Sequence, residues 1–192
     1  MSSEKKVRIG IIGTGGIART HVRHYKAHPF VEIAAVADIV PGRAAAFVQS
    51  EGIPNAQVYE SHKELLEKAQ VEGISVCTYN MGHREPAVDS LNAGKHVLLE
   101  KPMAATLEDA KAIMRAWEAA KDRILMVGFQ PDFGLQHKVA KQVIDSGALG
   151  QIYYAESISF RRWGTPGGNF SRRMNARRGL RGRRLRDRIH PS

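Results

Sequence analysis

The stretch VRIGIIGTGGIA, residues 7–18, decides the fold. Its apolar first half is typical of a short buried strand, and the glycines after it follow the pattern G-x-G-x-x-A from Gly13 to Ala18. In such a turn Gly13 permits a tight change of direction, Gly15 lets the backbone approach a pyrophosphate, and Ala18 lets the helix pack closely. Between a strand and a helix, this pattern predicts a dinucleotide site, whereas on its own it also fits a plain strand–helix turn. The residues predicted to contact the dinucleotide are Gly13, Thr14, Gly15, Gly16 and Ile17.

Short apolar runs alternate with amphipathic stretches as far as residue 127. The runs, rich in Val, Ile and Leu, predict buried parallel strands, and the stretches between them predict helices. Ser61 and Thr106, each followed three residues later by an acid, predict helix N-caps. We therefore predict an α/β fold with a doubly wound parallel sheet over residues 1–127. The predicted strands are 7–12, 31–37, 73–78, 96–99 and 124–127, and the predicted helices are 17–27, 43–50, 62–69, 85–93 and 107–120.

The second predicted strand ends in Val36-Ala37-Asp38. A carboxylate at this position of a dinucleotide-binding sheet can accept hydrogen bonds from both hydroxyls of the adenosine ribose, and it would repel a 2′-phosphate. We therefore predict that Asp38 binds the ribose and that the cofactor is NAD rather than NADP. A plain loop that begins at Asp38 is the alternative. Arg43 is close enough in sequence to weaken the preference for NAD over NADP. Alternatively, it is a solvated residue of the first turn of the next helix.

Two more polar segments follow strands whose carboxyl ends would line the same crevice. After the third strand, Asn80 and His83 either border the cofactor or open the next helix, with Asn80 as a cap and His83 exposed. After the fourth strand comes Glu100-Lys101-Pro102. A partly desolvated Lys101 would have a lowered pKa and could exchange a proton with a substrate hydroxyl, with Glu100 orienting its ammonium. An ordinary charged turn is the alternative.

Composition limits the class of protein. The chain has 192 residues, 43% of them hydrophobic, and no apolar run of about 18 residues, so no membrane span is expected. The single cysteine, Cys77, cannot form an internal disulfide, so we expect a reducing cytoplasmic location. It lies within a predicted strand with no activating residue nearby, so we expect an inert buried thiol. The net charge is +10, but the last 32 residues hold 11 arginines and one acid, so the rest of the chain is neutral.

The pattern changes beyond residue 127. Residues 136–146 predict a helix, and the alternation in residues 151–160 predicts a strand of the kind found in larger, antiparallel sheets. Residues 128–170 are therefore interpreted as a region separate from the first domain. Residues 171–192 are interpreted as an irregular, arginine-rich tail, because they hold too few apolar residues for a core.

Together these motifs closely resemble the Gfo/Idh/MocA oxidoreductases. The resemblance is carried, in order, by the glycine-rich turn, Asp38, Asn80 with His83, Glu100-Lys101-Pro102 and Gly128-Phe129-Gln130, within residues 5–165. It implies a Rossmann domain followed by an α+β, mostly antiparallel second domain for substrate binding and oligomerisation, of which residues 128–170 would be the incomplete start. It also implies NAD(P)-dependent hydride transfer at a hydroxyl-bearing carbon of a sugar, inositol or related polyol. Full-length members of such a family are expected to be homo-oligomers.

The resemblance further implies roles for single residues. Lys101 would be the catalytic lysine, and no metal ligand is implied. Gln130 would approach the site from the start of the second domain. The remaining residues that would border the nicotinamide and its ribose are Thr78, Asn80, His83, Glu100, Lys101 and Pro102.

Two departures from the family pattern matter. Tyr79 stands where the family usually has proline, which would reshape the nicotinamide pocket. The family's Asp-x-Gly-x-His motif is absent, and Asp187 and His190 are not given its roles. We therefore expect a chain truncated in its second domain, with a frameshift as the hypothesis for its tail and cofactor binding without turnover as an alternative function. The competing hypothesis is a basic arm for nucleic acid or acidic lipid, whose binding would weaken with salt.

Overall fold

A single parallel sheet organises the computed structural model, which describes residues 5–158. Its six strands have the order β3-β2-β1-β4-β5-β6, and every neighbouring pair is parallel. The chain moves outward from β1 through β3 and then returns to place β4 beside β1, so a crevice opens where the strand order reverses. The strands are β1 (Val7–Ile12), β2 (Val31–Ala37), β3 (Gln57–Tyr59), β4 (Gly73–Val76), β5 (His96–Leu99) and β6 (Leu125–Val127).

Helices cover both faces of the sheet. Helices α1 and α2 pack on one face around Ile11, Val22 and Phe47, and helices α3, α4 and α5 pack on the other around Leu65 and Leu99. Burial of these apolar side chains on two sides explains why the strands read as continuous apolar runs. The helices are α1 (Gly16–Ala27), α2 (Arg43–Glu51), α3 (His62–Lys68), α4 (Arg84–Asn92), α5 (Leu107–Ala119) and α6 (Leu135–Asp145).

Local signals set the helix ends where the sequence predicts them. The Ser61 hydroxyl accepts a hydrogen bond from the N–H of Glu64 at 3.1 Å, and Thr106 caps α5 through the N–H of Asp109 at the same distance. Each cap satisfies a backbone donor that the first helical turn leaves free. The predicted α/β fold and its N-caps are therefore confirmed.

The structure differs from the predicted strands in two places. Strand β3 has only three residues at the sheet edge and was not predicted, because so short a run shows no periodicity. The strand predicted over residues 151–160 is wrong for its described part, because the backbone of 151–158 is irregular. A strand forms only where a neighbour pairs with its N–H and C=O groups, and no neighbour within 5–158 pairs with this segment. Its side chains are exposed as well, Tyr153 to 95%.

The chain divides into two units, Met1–Ala140 and Lys141–Ser192. The first contains the sheet, and the described part of the second, 141–158, contains the end of α6 and irregular backbone. The domain limits predicted at residues 127 and 170 stay a prediction, and the arginine-rich tail lies outside the described residues. No helix formed by 5–158 combines the length and apolar character needed to cross a membrane.

Candidate active site

Gly13 starts the glycine-rich turn at the carboxyl end of β1. Its φ of +89° lies in the left-handed region, and a Cβ atom there would come within 2.9 Å of the backbone of Cys77 and Thr78. The N–H of Gly13 donates to the carbonyl of Ala37 at 2.8 Å, which joins the turn to the end of β2. The fold itself therefore requires glycine at this position.

Gly15 and Gly16 are not required by the fold in this way. Gly15 has a φ of −74°, and its Cβ would meet only the Cys77 carbonyl oxygen, at 4.0 Å, while a Cβ at Gly16 would meet nothing within 4 Å. Helix α1 begins at Gly16 with no capping side chain and no acid in its first turn. Free N–H groups and the positive end of the helix dipole therefore face open space, and they fit the pyrophosphate of a dinucleotide.

Asp38 lies beside this turn and is buried. Its Oδ2 accepts hydrogen bonds from the N–H (2.9 Å) and the hydroxyl (2.6 Å) of Thr14, and its Oδ1 accepts one from the N–H of Val40 at 3.0 Å. Burial raises the pKa of Asp38, but these hydrogen bonds and the Arg43 guanidinium, 3.8 Å away, lower it below its ordinary value overall. Ionised Asp38 therefore stabilises the fold above the pKa of the unfolded chain, and this contribution is lost as the pH falls through the folded pKa.

The loop after β4 places Asn80 and His83 differently from one another. Asn80 is exposed in a 3-10 turn and caps no helix with its side chain, whereas His83 is fully buried. The alternative of a capping Asn80 and an exposed His83 is therefore wrong. The Nδ1 of His83 lies 2.9 Å from the carbonyl oxygen of Pro102 and its Nε2 lies 3.2 Å from that of Thr78. His83 thus joins the β4 loop to the segment after β5.

The segment Glu100–Pro102 corrects two expectations about Lys101. Within residues 5–158 the Lys101 side chain is exposed rather than partly desolvated, because its long stem carries the ammonium into solvent. Glu100 is buried and does not orient that ammonium. Its Oε2 accepts from the backbone N–H of Lys101 at 3.2 Å, and its Oε1 lies 2.9 Å from Nε2 of His21, since a buried carboxylate needs the nearest interior donor.

A series of hydrogen-bonded polar side chains, partly buried at Tyr25 and His21 and buried at Ser75, leads to Glu100 from the α1 face of the sheet. The Tyr25 hydroxyl lies 2.7 Å from Oγ of Ser75, and the same Oγ lies 2.9 Å from Nδ1 of His21. Burial raises the pKa of Tyr25, so the phenol keeps its proton and remains a donor. This series of hydrogen bonds therefore ends in the bond between His21 and Glu100.

Two other residues singled out in the sequence, Gln130 and Cys77, lie near His21 and Glu100. Gln130 is exposed after β6 and lines an open cavity of about 230 Å³ together with Ile17, His21 and Glu100. Cys77 is buried beneath the crevice, and burial, followed by the negative charge of Glu100, raises the pKa of its thiol to about 12. The thiol is therefore inert at neutral pH. Among the described residues, no three His, Cys, Asp or Glu side chains come together to hold a metal ion.

Residues 7–129 match the model of the GFO_IDH_MocA family, an oxidoreductase family with an NAD-binding Rossmann fold. The chain belongs to the Gfo/Idh/MocA family. The predicted family resemblance and the Rossmann fold are therefore confirmed, and so is NAD as the family's cofactor. The contacts of single residues with the cofactor stay predictions.

Curated relatives and solved structures of the family cover the same part of the chain. The chain is 34% identical to inositol 2-dehydrogenase of Ralstonia nicotianae over 145 residues, 75% of this chain and 43% of that protein. It is similar to myo-inositol dehydrogenase of Lactobacillus casei, solved with NAD(H) and myo-inositol (TM-score 0.71, 30% identity, 76% and 43% of the two chains). It is also similar to the WlbA dehydrogenase of Bordetella pertussis, solved with NADH and UDP-GlcNAcA (TM-score 0.71, 28% identity, 78% and 45%). The chain thus spans less than half the length of these relatives.

The polar residues His21, Tyr25 and Ser75 were not predicted from the sequence. Two signals could have indicated them. His21 and Tyr25 are four residues apart, which places them on one face of α1, and Ser75 interrupts an otherwise apolar buried strand. The sequence does not indicate that these residues contact Glu100, 25 residues beyond Ser75, because that contact depends on β5 lying beside β4.

Proposed function

We propose that this chain is the cofactor-binding part of an NAD-dependent dehydrogenase that acts on a sugar, inositol or related polyol. The observation that carries the proposal is the open approach to Gly15 and Gly16, where neither φ nor packing against the rest of the chain calls for glycine. A ligand that must come close to the backbone accounts for it, and the bare N-terminus of α1 selects an anionic one.

Asp38 supports NAD in preference to NADP. Its carboxylate is ionised at neutral pH and is held beside the glycine-rich turn by Thr14, so it can accept the hydroxyls of an adenosine ribose. A 2′-phosphate at the same place would meet a buried negative charge, which Arg43, about half exposed and 3.8 Å away, offsets only in part.

Lys101 supports the oxidation of a hydroxyl group. NAD supplies the acceptor for the hydride that leaves the substrate carbon. Lys101 projects its ammonium from the carboxyl end of β5, where it can hold the substrate oxygen and exchange a proton with it. Thr78, Asn80, Pro102 and Gln130 would border the nicotinamide and its ribose.

The proposed substrate class rests on similarity to named relatives, and the proposed cellular compartment rests on the free thiol of Cys77. The named relatives are inositol dehydrogenases, and one solved neighbour binds a sugar nucleotide, so a small polyol or sugar is proposed here. A free buried thiol at Cys77 supports a reducing, cytoplasmic location.

Titration of the purified chain with NADH and NADPH tests the cofactor. We expect saturable, salt-tolerant binding, followed by energy transfer from Trp117, with NADH at least about tenfold tighter than NADPH. Asp38→Asn should bring the two affinities within about threefold, because the repulsion of the 2′-phosphate is removed. Asp89→Asn, which alters a carboxylate bonded to His62, is the matched control and should keep the preference.

Oxidation of myo-inositol and related polyols, followed as NADH formation, then tests the activity. Tight NADH binding without turnover would favour the alternative of a cofactor-binding chain that is inactive by itself. A folded wild-type chain that binds neither nucleotide would contradict the proposal.

A further inference from the structure

The short segment Glu100–Pro102 is held from both faces of the sheet, by the partly buried His21 on one face and by the fully buried His83 on the other. From the α1 face, Nε2 of His21 lies 2.9 Å from Oε1 of Glu100. From the α4 face, Nδ1 of His83 lies 2.9 Å from the carbonyl oxygen of Pro102. Lys101, the residue between these two anchors, is exposed and has no side-chain hydrogen bond or ion pair within residues 5–158.

One placement of protons satisfies every group on the α1 side. Tyr25 donates to Ser75, Ser75 donates to Nδ1 of His21, and His21 donates from Nε2 to the carboxylate of Glu100. The free Oε2 of Glu100 then accepts from the backbone N–H of Lys101 at 3.2 Å. The carboxylate is thus fixed at both oxygens, and one of these bonds is to the main chain of Lys101 itself.

The α4 side fixes the other end of the segment. His83 is fully buried, and its two ring nitrogens face the carbonyl oxygens of Pro102 and Thr78. Carbonyl oxygens only accept and a neutral imidazole carries a single N–H, so the ring donates to one of the two, and the shorter contact is the one to Pro102. His83 therefore connects the chain after Lys101 to the end of β4, the neighbouring strand of the crevice.

We propose that His21 and His83 are positioning residues, which hold Glu100–Pro102 from opposite faces so that Lys101 is presented at the nicotinamide end of the crevice. The inference rests on the proposed function. Neither histidine needs to touch the cofactor or the substrate, since each acts through the backbone or side chain next to Lys101. A lysine with a flexible stem needs a rigid backbone beneath it if its ammonium is to reach one place repeatedly.

Two probes that differ only at the nicotinamide end distinguish this role from a general structural one. ADP-ribose shares the adenosine and pyrophosphate of NADH but lacks the nicotinamide. In His21→Leu and His83→Leu we expect ADP-ribose affinity within about twofold of wild type. We expect NADH affinity about tenfold lower, because the displaced backbone of Glu100–Pro102 would enter the space of the nicotinamide, an effect that removal of the Lys101 side chain alone does not have. His21→Gln, whose amide can still donate to Glu100, should restore most of the NADH affinity, and His83→Asn should act similarly through Pro102.

Chemical labelling reports on Lys101 directly. Acetylation of lysines by acetic anhydride, read by peptide mass spectrometry, should be slowed at Lys101 by NADH but not by ADP-ribose in the wild-type chain. The leucine variants should lose this protection, and His21→Gln should regain it. His62→Leu removes another buried histidine, bonded to Asp89 away from the segment, and is the control that should keep both the protection and the affinities.

Each result has one meaning. Wild-type protection of Lys101 in the leucine variants would overturn the positioning role. Loss of ADP-ribose binding in His21→Gln and His83→Asn as well would also overturn it, because the histidines would then support the whole domain. Failure of the wild-type chain to bind either probe would instead contradict the proposed function.

Discussion

The glycine-rich turn and the segment Glu100–Pro102 lie at the carboxyl ends of strands in the same sheet, but they are built in opposite ways. In the turn, the side chains of Thr14 and Asp38 bond to each other and the backbone of Gly15 and Gly16 is left open. In the segment, the backbone is fixed by buried partners and the Lys101 side chain is left free. The first region offers main-chain groups, and the second offers one side chain.

This difference teaches where each region tolerates change. A region that binds through its backbone is sensitive to any added Cβ, since a methyl group blocks the approach of the ligand. A region that works through an exposed side chain is sensitive to what lies beneath it, whereas replacing that side chain leaves the fold unchanged. Three substitutions separate these effects.

The largest effect on stability is expected for Gly13→Ala. The residue would take a φ of +89° and place its Cβ 2.9 Å from the backbone of Cys77 and Thr78, so the free energy of unfolding should fall by about 3 kcal/mol. Urea denaturation measures this change in the free energy of unfolding. Gly42→Ala, with a φ of +72° and open space around the Cβ, should cost only about 1 kcal/mol from backbone strain. Equal losses in the two variants would show that the close packing of Gly13 against Cys77 and Thr78 is unimportant.

Gly15→Ala should affect binding without affecting stability. The free energy of unfolding should change by less than about 0.5 kcal/mol, because the added Cβ has only one neighbour, at 4.0 Å. The NADH affinity should fall at least about tenfold, since the methyl group occupies the space through which the pyrophosphate approaches. Both quantities are measured on one sample by denaturation and titration. Unchanged NADH affinity would break the contrast between the two regions.

Lys101→Met should have the smallest effect on both stability and cofactor affinity. The side chain is exposed and unpaired within residues 5–158, so NADH affinity should stay within about twofold of wild type. Any turnover of a polyol should disappear, because methionine cannot exchange a proton. Lys111→Met, on the exposed side of α5, is the control for loss of a surface charge and should keep turnover. Undiminished turnover in Lys101→Met would remove this lysine from the mechanism.

Much of the first domain could be predicted because its signals are local. The apolar runs and the caps at Ser61 and Thr106 lie within single elements, and the predicted strands and helices agree with the structure to within about two residues at each end. The glycine-rich turn was also predictable, because strand, turn and helix follow one another directly. The three-residue strand β3 and the unpaired stretch 151–158 were not, since whether a strand forms there depends on a neighbour.

The candidate site was predictable as a set of residues but not as a set of bonds. The sequence indicates that Glu100, Lys101 and His83 follow neighbouring strands. It does not indicate that Glu100 turns inward to His21 rather than toward Lys101, because two donors compete for one carboxylate and only packing decides between them.

By itself, then, the sequence determined the parallel sheet, the open glycine-rich turn and the identity of the polar residues at its edge, because periodicity and turn chemistry act between residues close along the chain. Only the tertiary structure decided which of those residues are buried partners and which remain exposed. His21, Ser75 and Glu100 lie on α1, β4 and the end of β5, and they meet only after the strands have taken their order in the sheet. That order follows from burying both faces of the sheet at once, which no single segment can specify.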